Sequence, residues 1–299
     1  MPISVLTRGL ISPHQEKSVP FPDLNPWTRD TADIAREDKK RQSSPTSFFY
    51  SQGRALCLAA EYFKDERLAV DARDGVAIKH RHKNQLAIFG QLMAAFEYML
   101  KDFVAKSIDA TSVFDEKIKE QEWLSVTTDR VLSQRVAQTS IGSMLVHPTL
   151  GWHTPETVNM RFKNLFNCPA FQGSDFKTLN TLWILRHSIA HNAGFVTAHD
   201  AARIGQPMLS EKVVDIDAWF IIETFNFLKA IAAHITATCG KSILKQWLKS
   251  KKTYGLDFAR DKNEYLKVKL LSTWIASRTT DLPTPNAAEY KADWEAINV

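Results

Sequence analysis

Between Pro45 and Pro148 the chain contains no proline, whereas six of its twelve prolines crowd the first 45 residues. Proline removes a backbone donor and clashes with the preceding helical turn, so a stretch this long without it is open to continuous helix. Within it, Ser47 to Val70 and Gln85 to Ser107 return apolar residues every three or four positions, as in Leu86, Phe89, Leu92, Met93, Phe96, Met99, Leu100 and Phe103. That period predicts helices with wide apolar faces. A third helical stretch is expected over Thr127 to Leu145, after which Pro148, Gly151, Pro155, Pro169 and Gly173 cut the chain into short pieces. Ser174 and Asp175 offer an N-cap and a first-turn carboxylate for a helix through Leu179, Leu182, Trp183 and Ile189, ending near His191 to Gly194. A further helix is expected from Val213 to Cys239, stopping at Gly240.

Strand-like alternation is scarce, and neither repeats nor heptads occur. The fold class is therefore all-α. A helical bundle is expected over residues 85–240, preceded by an extended arm (1–45) and a helical extension (46–84), and followed by a basic C-terminal extension (241–299).

Composition excludes several function classes. A 44% hydrophobic and 10% aromatic content argues for a folded core, and a net charge of +5 is too small for a whole-surface polycation. Cys57, Cys168 and Cys239 are too few and too far apart for a disulfide framework or a paired-cysteine zinc site, so they read as buried thiols. The N-terminus lacks a continuous apolar stretch, and the apolar window Ala218 to Cys239 is broken by Glu223, Asn226, Lys229 and His234. The expectation is a cytoplasmic chain without a membrane span. There is no phosphate loop, dinucleotide fingerprint or Gly-x-Ser-x-Gly elbow.

What carries chemistry is the segment Leu185-Arg186-His187-Ser188-Ile189-Ala190-His191-Asn192-Ala193-Gly194. Arg186 follows Leu179, Leu182 and Trp183 at helical spacing, so its guanidinium points along an apolar face and needs an anion: either a carboxylate such as Glu97 or a substrate phosphate. The first case would make Arg186 a tie between helices. His187 and His191, four apart, share a face and match metal-ligand spacing, but no third ligand lies nearby in sequence. The alternative is acid and base chemistry on a phosphodiester: histidine moves protons near neutral pH while arginine stabilises the charge on phosphorus. Arg186 and His191 stand about 140° apart on a regular helix. To meet at one phosphate they need the helix to unwind at His191, or a second copy of the chain.

These residues resemble the signature of the HEPN superfamily of helical-bundle ribonucleases: arginine, four residues beginning with a polar one, then histidine, followed by Asn-Ala-Gly. A preceding helix with Glu97 and a closing amphipathic helix fit as well, and the resemblance spans about half the chain. It implies a four-to-five-helix core, a homodimer with a composite cleft, and RNA cleavage without metal or cofactor that leaves a cyclic phosphate. Carried over, Arg186 and His191 form the essential pair, His187 takes the polar position where the family often has asparagine, and Glu97 orients Arg186. The resemblance also implies a toxin or defence effector, with an antitoxin or sensor as partner. A second reading stays open: an inactive helical module that binds RNA, nucleotide or a protein partner.

The charge is uneven. Lys241 to Leu270 hold nine basic and three acidic residues, leaving the rest of the chain near neutral. Lys245, Lys249, Lys251 and Lys252, interleaved with Trp247, Tyr254, Phe258 and Tyr265, make a candidate RNA-binding surface through phosphate contacts and base stacking. A solvated amphipathic helix is the plainer account of the same spacing.

Overall fold

Among the described residues, helix begins where the first proline-rich stretch ends. The computed structural model describes residues 43–64, 76–133, 140–147, 150–255, 257–276 and 282–296. The arm expected over residues 1–45 lies almost wholly outside the described residues, as does the end of the helix expected to reach Val70. Helix α1 (Pro45–Tyr62) starts on Pro45, whose missing N–H costs nothing in a first turn. Its start is fastened to the far end of the chain, because the buried Thr46 hydroxyl donates to the Ile275 carbonyl at 3.3 Å.

Helix α2 (Val76–Ala110) is the central strut, longer at both ends than its apolar period suggested. Phe89, Leu92, Met93, Phe96, Met99, Leu100 and Phe103 are all buried. Phe96 meets Phe49 of α1 at 5.6 Å between ring centres, and meets Trp183 at 6.3 Å. After α2 come short helices α3 (Asp115–Lys119), α4 (Thr128–Ser133) and α5 (Ile141–Leu145). The single helix expected over Thr127 to Leu145 is thus at least two pieces: Ser140 caps α5 afresh, its hydroxyl accepting from the Ser143 N–H at 3.2 Å.

Helix α6 (Pro155–Phe166) is capped by Thr154 and ends on Asn167 in the left-handed region. Helix α7 (Phe176–Asn192) carries the Arg-His segment. Its expected cap differs in detail, since the Asp175 carboxylate reaches back to the Gln172 N–H at 3.1 Å instead of capping the helix. Helix α8 (Ala198–Ile204) follows at once, with Thr197 as its cap. Among the described residues there is no strand, only one isolated bridge between Phe195 and Val213. The all-α expectation holds.

That bridge explains why the next helix, α9 (Ala218–Ile235), begins five residues later than its apolar pattern: Val213 is occupied as extended backbone, and Asp217 supplies the cap by accepting from the Phe220 N–H at 2.8 Å. Its expected end at Gly240 is also corrected. The chain passes through one π-helical turn (Thr236–Gly240) straight into α10 (Lys241–Lys251). Gly240 is there for close approach, because a Cβ at this position would lie 2.2 Å from the Leu271 carbonyl oxygen. By length and composition this 34-residue run, Ala218–Lys251, could cross a bilayer, but its apolar side is spent on the bundle: Ile221, Phe225, Leu228, Ile231 and Ile235 are buried.

Helices α11 (Phe258–Leu271) and α12 (Ala287–Ala296) complete the bundle. A single apolar cluster runs from Phe49 through Phe96 and Leu228 to Trp247, Tyr265 and Tyr290. The stretches 46–84 and 241–299 therefore contribute side chains to the same core as residues 85–240.

Candidate functional site

The end of α7 is held by its backbone and by one buried polar cluster. The N–H groups of Ala193 and Gly194 both turn back to the Ser188 carbonyl, with Ala193 at φ 55° and Gly194 at φ 91°. Gly194 is the residue that tolerates this geometry without strain. Ser188 is fully buried, and its hydroxyl donates to the Asp200 carboxylate at 3.4 Å. Thr197 donates to the same carboxylate at 2.9 Å while capping α8. The motif's central serine is thus a pin that locks α8 beneath α7. Sequence spacing did not single out Ser188 or Asp200; the one available signal was a small polar residue on an otherwise apolar face.

Around this pin the ionisable side chains fan outward. Arg186 is half-buried and lines a cavity of about 450 Å³ shared with Glu97, Tyr98, Lys101, Asp102 and Ser143. Glu97 was expected to orient Arg186. The two do share the cavity, but the Glu97 carboxylate is engaged by Lys101 at 2.9 Å and makes no ion pair with the guanidinium. Asp102, in the same wall, is held by Lys106 at 2.5 Å, and burial raises its carboxyl above the ordinary range. Arg186 accordingly does not tie α7 to α2 through a carboxylate. Among the described residues it has no hydrogen-bond or ion-pair partner.

His187 and His191 are exposed, one turn apart, with ring centres 4.7 Å from each other. Neither makes a hydrogen bond or ion pair among the described residues. Because α7 stays helical to Asn192, His191 remains about 140° around the axis from Arg186, and the unwinding that would bring them together in one chain does not occur. The histidines pair with each other, and the arginine is turned toward α2. Among the described residues, no three His, Cys, Asp or Glu side chains stand close enough to share a metal ion, so this part of the chain offers the His187–His191 pair no third ligand.

The candidate RNA-binding stretch is corrected on two counts. Trp247 and Tyr265 are not available for stacking, because both are buried and packed on each other at 5.9 Å. Lys251 is no free cation either: it binds Glu264 at 2.7 Å and lies 3.5 Å from the buried carboxylate of Asp261. That carboxylate also accepts from Arg260 and from the Tyr290 hydroxyl, and the guanidinium beside it lowers its pKa. The alternation of Lys with aromatics is that of an amphipathic helix, apolar side inward. Lys245, Lys249, Lys252 and Tyr254 remain exposed.

Sequence reasoning also missed a thiol pair. Cys168 and Cys239 are brought together where the loop after α6 meets the π turn, with the Cys239 Sγ 3.4 Å from the Pro169 carbonyl oxygen. A hydrogen bond from Cys239 lowers the Cys168 pKa to about 6 and raises that of Cys239 itself. No family model, curated protein or solved structure matches the chain.

Proposed function

We propose that the protein is a metal-independent endoribonuclease whose active site is completed by a second copy of the chain. One observation carries the reading: Arg186, His187 and His191 crowd one helix end, yet none takes part in any hydrogen bond or ion pair among the described residues. The half-buried Arg186 side chain, with no anion among the described residues of its own chain, is open to one from outside. Its retention suits a chain that meets an anion from outside, and an RNA phosphate is such an anion.

In this reading a two-fold axis next to the end of α7 sets the arginine of one protomer near the histidines of the other. One neutral imidazole takes the proton from a ribose 2′-hydroxyl, and the 2′-oxygen attacks phosphorus. The bond to the 5′-oxygen breaks, and that oxygen takes a proton from a second, protonated imidazole. Arg186 stabilises the charge on the phosphoryl oxygens throughout, and the product is a cyclic phosphate. His187 and His191, one turn apart, supply two imidazoles per protomer for these roles. A toxin or defence role, with an antitoxin or sensor partner, belongs to the same proposal.

A non-catalytic module binding RNA, nucleotide or protein is the second reading, favoured by the divergence of Arg186 from His191 within one chain. Incubating single-stranded RNA with the protein in excess EDTA separates the two. The nuclease reading expects cutting by the wild type and a loss of about a hundredfold or more in both Arg186→Ala and His191→Ala. Wild-type protein that cuts nothing would leave the binding module standing, and variants that cut normally would remove Arg186 and His191 from the active site.

A further inference from the structure

A cleft of about 1210 Å³ lies apart from the one lined by Arg186. It opens between the start of α2, the extended segment leading into α9, and the first turns of α9. Two contacts set it against the end of α7: the Lys83 ammonium donates to the Ala193 carbonyl at 3.5 Å, and Gly194 packs on Leu86 and Val213.

The floor of the cleft contains an unmet acceptor. Gln85 is only 2% exposed. Its Nε2 donates to the Ala60 carbonyl at 3.0 Å, which fixes the amide orientation because that carbonyl can only accept. The Gln85 Oε1 is thereby left buried with no partner. At the rim stands Trp219, 67% exposed and without an aromatic neighbour among the described residues. A large indole kept in solvent beside a cleft is a stacking platform in want of a flat ligand. One flank is built from His82, whose Nδ1 lies 3.3 Å from the Asp215 carboxylate. Arg81 and Glu223 add further donor and acceptor groups to the wall.

We infer that this cleft binds a nucleobase, stacked on Trp219 with its polar edge toward the flank of His82, Asp215 and Glu223. The mixture of charges selects the base over the phosphate. A phosphate offers only acceptors and is repelled by carboxylates, whereas a base edge presents donors and acceptors side by side. A wall that sets Arg81 and His82 among Asp215 and Glu223 matches the base edge. The base could belong to a free nucleotide or to an RNA strand lying past the end of α7. The RNA source rests on the nuclease reading, and the free nucleotide does not.

Calorimetric titration of the full chain with AMP, CMP, GMP, UMP, inorganic phosphate and a short single-stranded oligoribonucleotide tests the assignment. Expected are binding of at least one mononucleotide, no competition from inorganic phosphate, and a weakening of roughly tenfold in Trp219→Ala that Trp219→Phe largely restores. Tighter binding of the oligonucleotide, lost in Trp219→Ala, identifies the strand as the source, and equal binding of mononucleotide and oligonucleotide identifies the free nucleotide. Affinity unchanged in Trp219→Ala, competition by phosphate alone, or no binding of any probe overturns the inference. Base binding is read by titration of the Trp219 variants with mononucleotide and cutting is read by RNA cleavage, so failure of the one does not decide the other.

Discussion

Two arginines of this chain illustrate how far a single residue can be read. Arg186 stood out in the sequence because it interrupts an apolar face, and it does reach a half-buried cavity. Arg161 gave no such signal, yet it is the more deeply buried. It survives without a carboxylate because its guanidinium lies between the rings of Trp123 and Trp152, 4.7 and 4.8 Å from their centres, and donates to the Gly151 carbonyl at 2.6 Å. The rule that a buried arginine needs an anion was thus met by aromatic faces at Arg161, and is unmet within the protomer at Arg186. Cys168 gives the residue-scale prediction. Its thiolate, stabilised by the Cys239 thiol, should dominate at neutral pH. Iodoacetamide labelling of Cys168, followed by mass spectrometry, should rise through a midpoint near pH 6 and level off above it, because the thiolate is the reacting form. In Cys239→Ala the midpoint should move up toward that of an ordinary thiol; a wild-type midpoint already there would remove the pairing.

At the scale of elements, helix existence was legible and helix ends were not. The apolar period of α2 and α9 reflects which face the core covers, and that survives any detail of packing. Ends depend on contacts distant in sequence. Val213 is withheld from α9 by its bridge to Phe195, and Gly240, a stop signal by local rules, is instead the point where the helix passes close to the end of α11. The same blindness affected the basic stretch, where the spacing of Trp247 and Tyr265 suits a stacking surface and a buried face equally well. Gly240→Ala should destabilise the fold by about 1–3 kcal/mol through overpacking against Leu271 and Ser272, measured by urea denaturation. Stability unchanged within error would show that α11 does not bear on the π turn as described.

The described residues form one helical bundle whose core is shared by its flanking helices, and Arg186, His187 and His191 stand together near the end of α7. The candidate catalytic residues were legible because they violate an apolar pattern. Their divergence was legible too, since five residues of regular helix fix it, but the sequence could not choose between unwinding and a second chain. With α7 regular to Asn192, the nuclease reading now requires the second chain. Subunit mixing tests this most directly. Arg186→Ala and His191→Ala are each expected to be inactive, and a dimer formed from one of each retains an intact arginine and an intact histidine on opposite protomers. Equal amounts of the two, allowed to exchange until native mass spectrometry shows heterodimers, should recover about a quarter of wild-type RNA cleavage. A mixture that contains heterodimers and cuts no RNA, while the wild type does, would contradict a site shared between two copies of the chain.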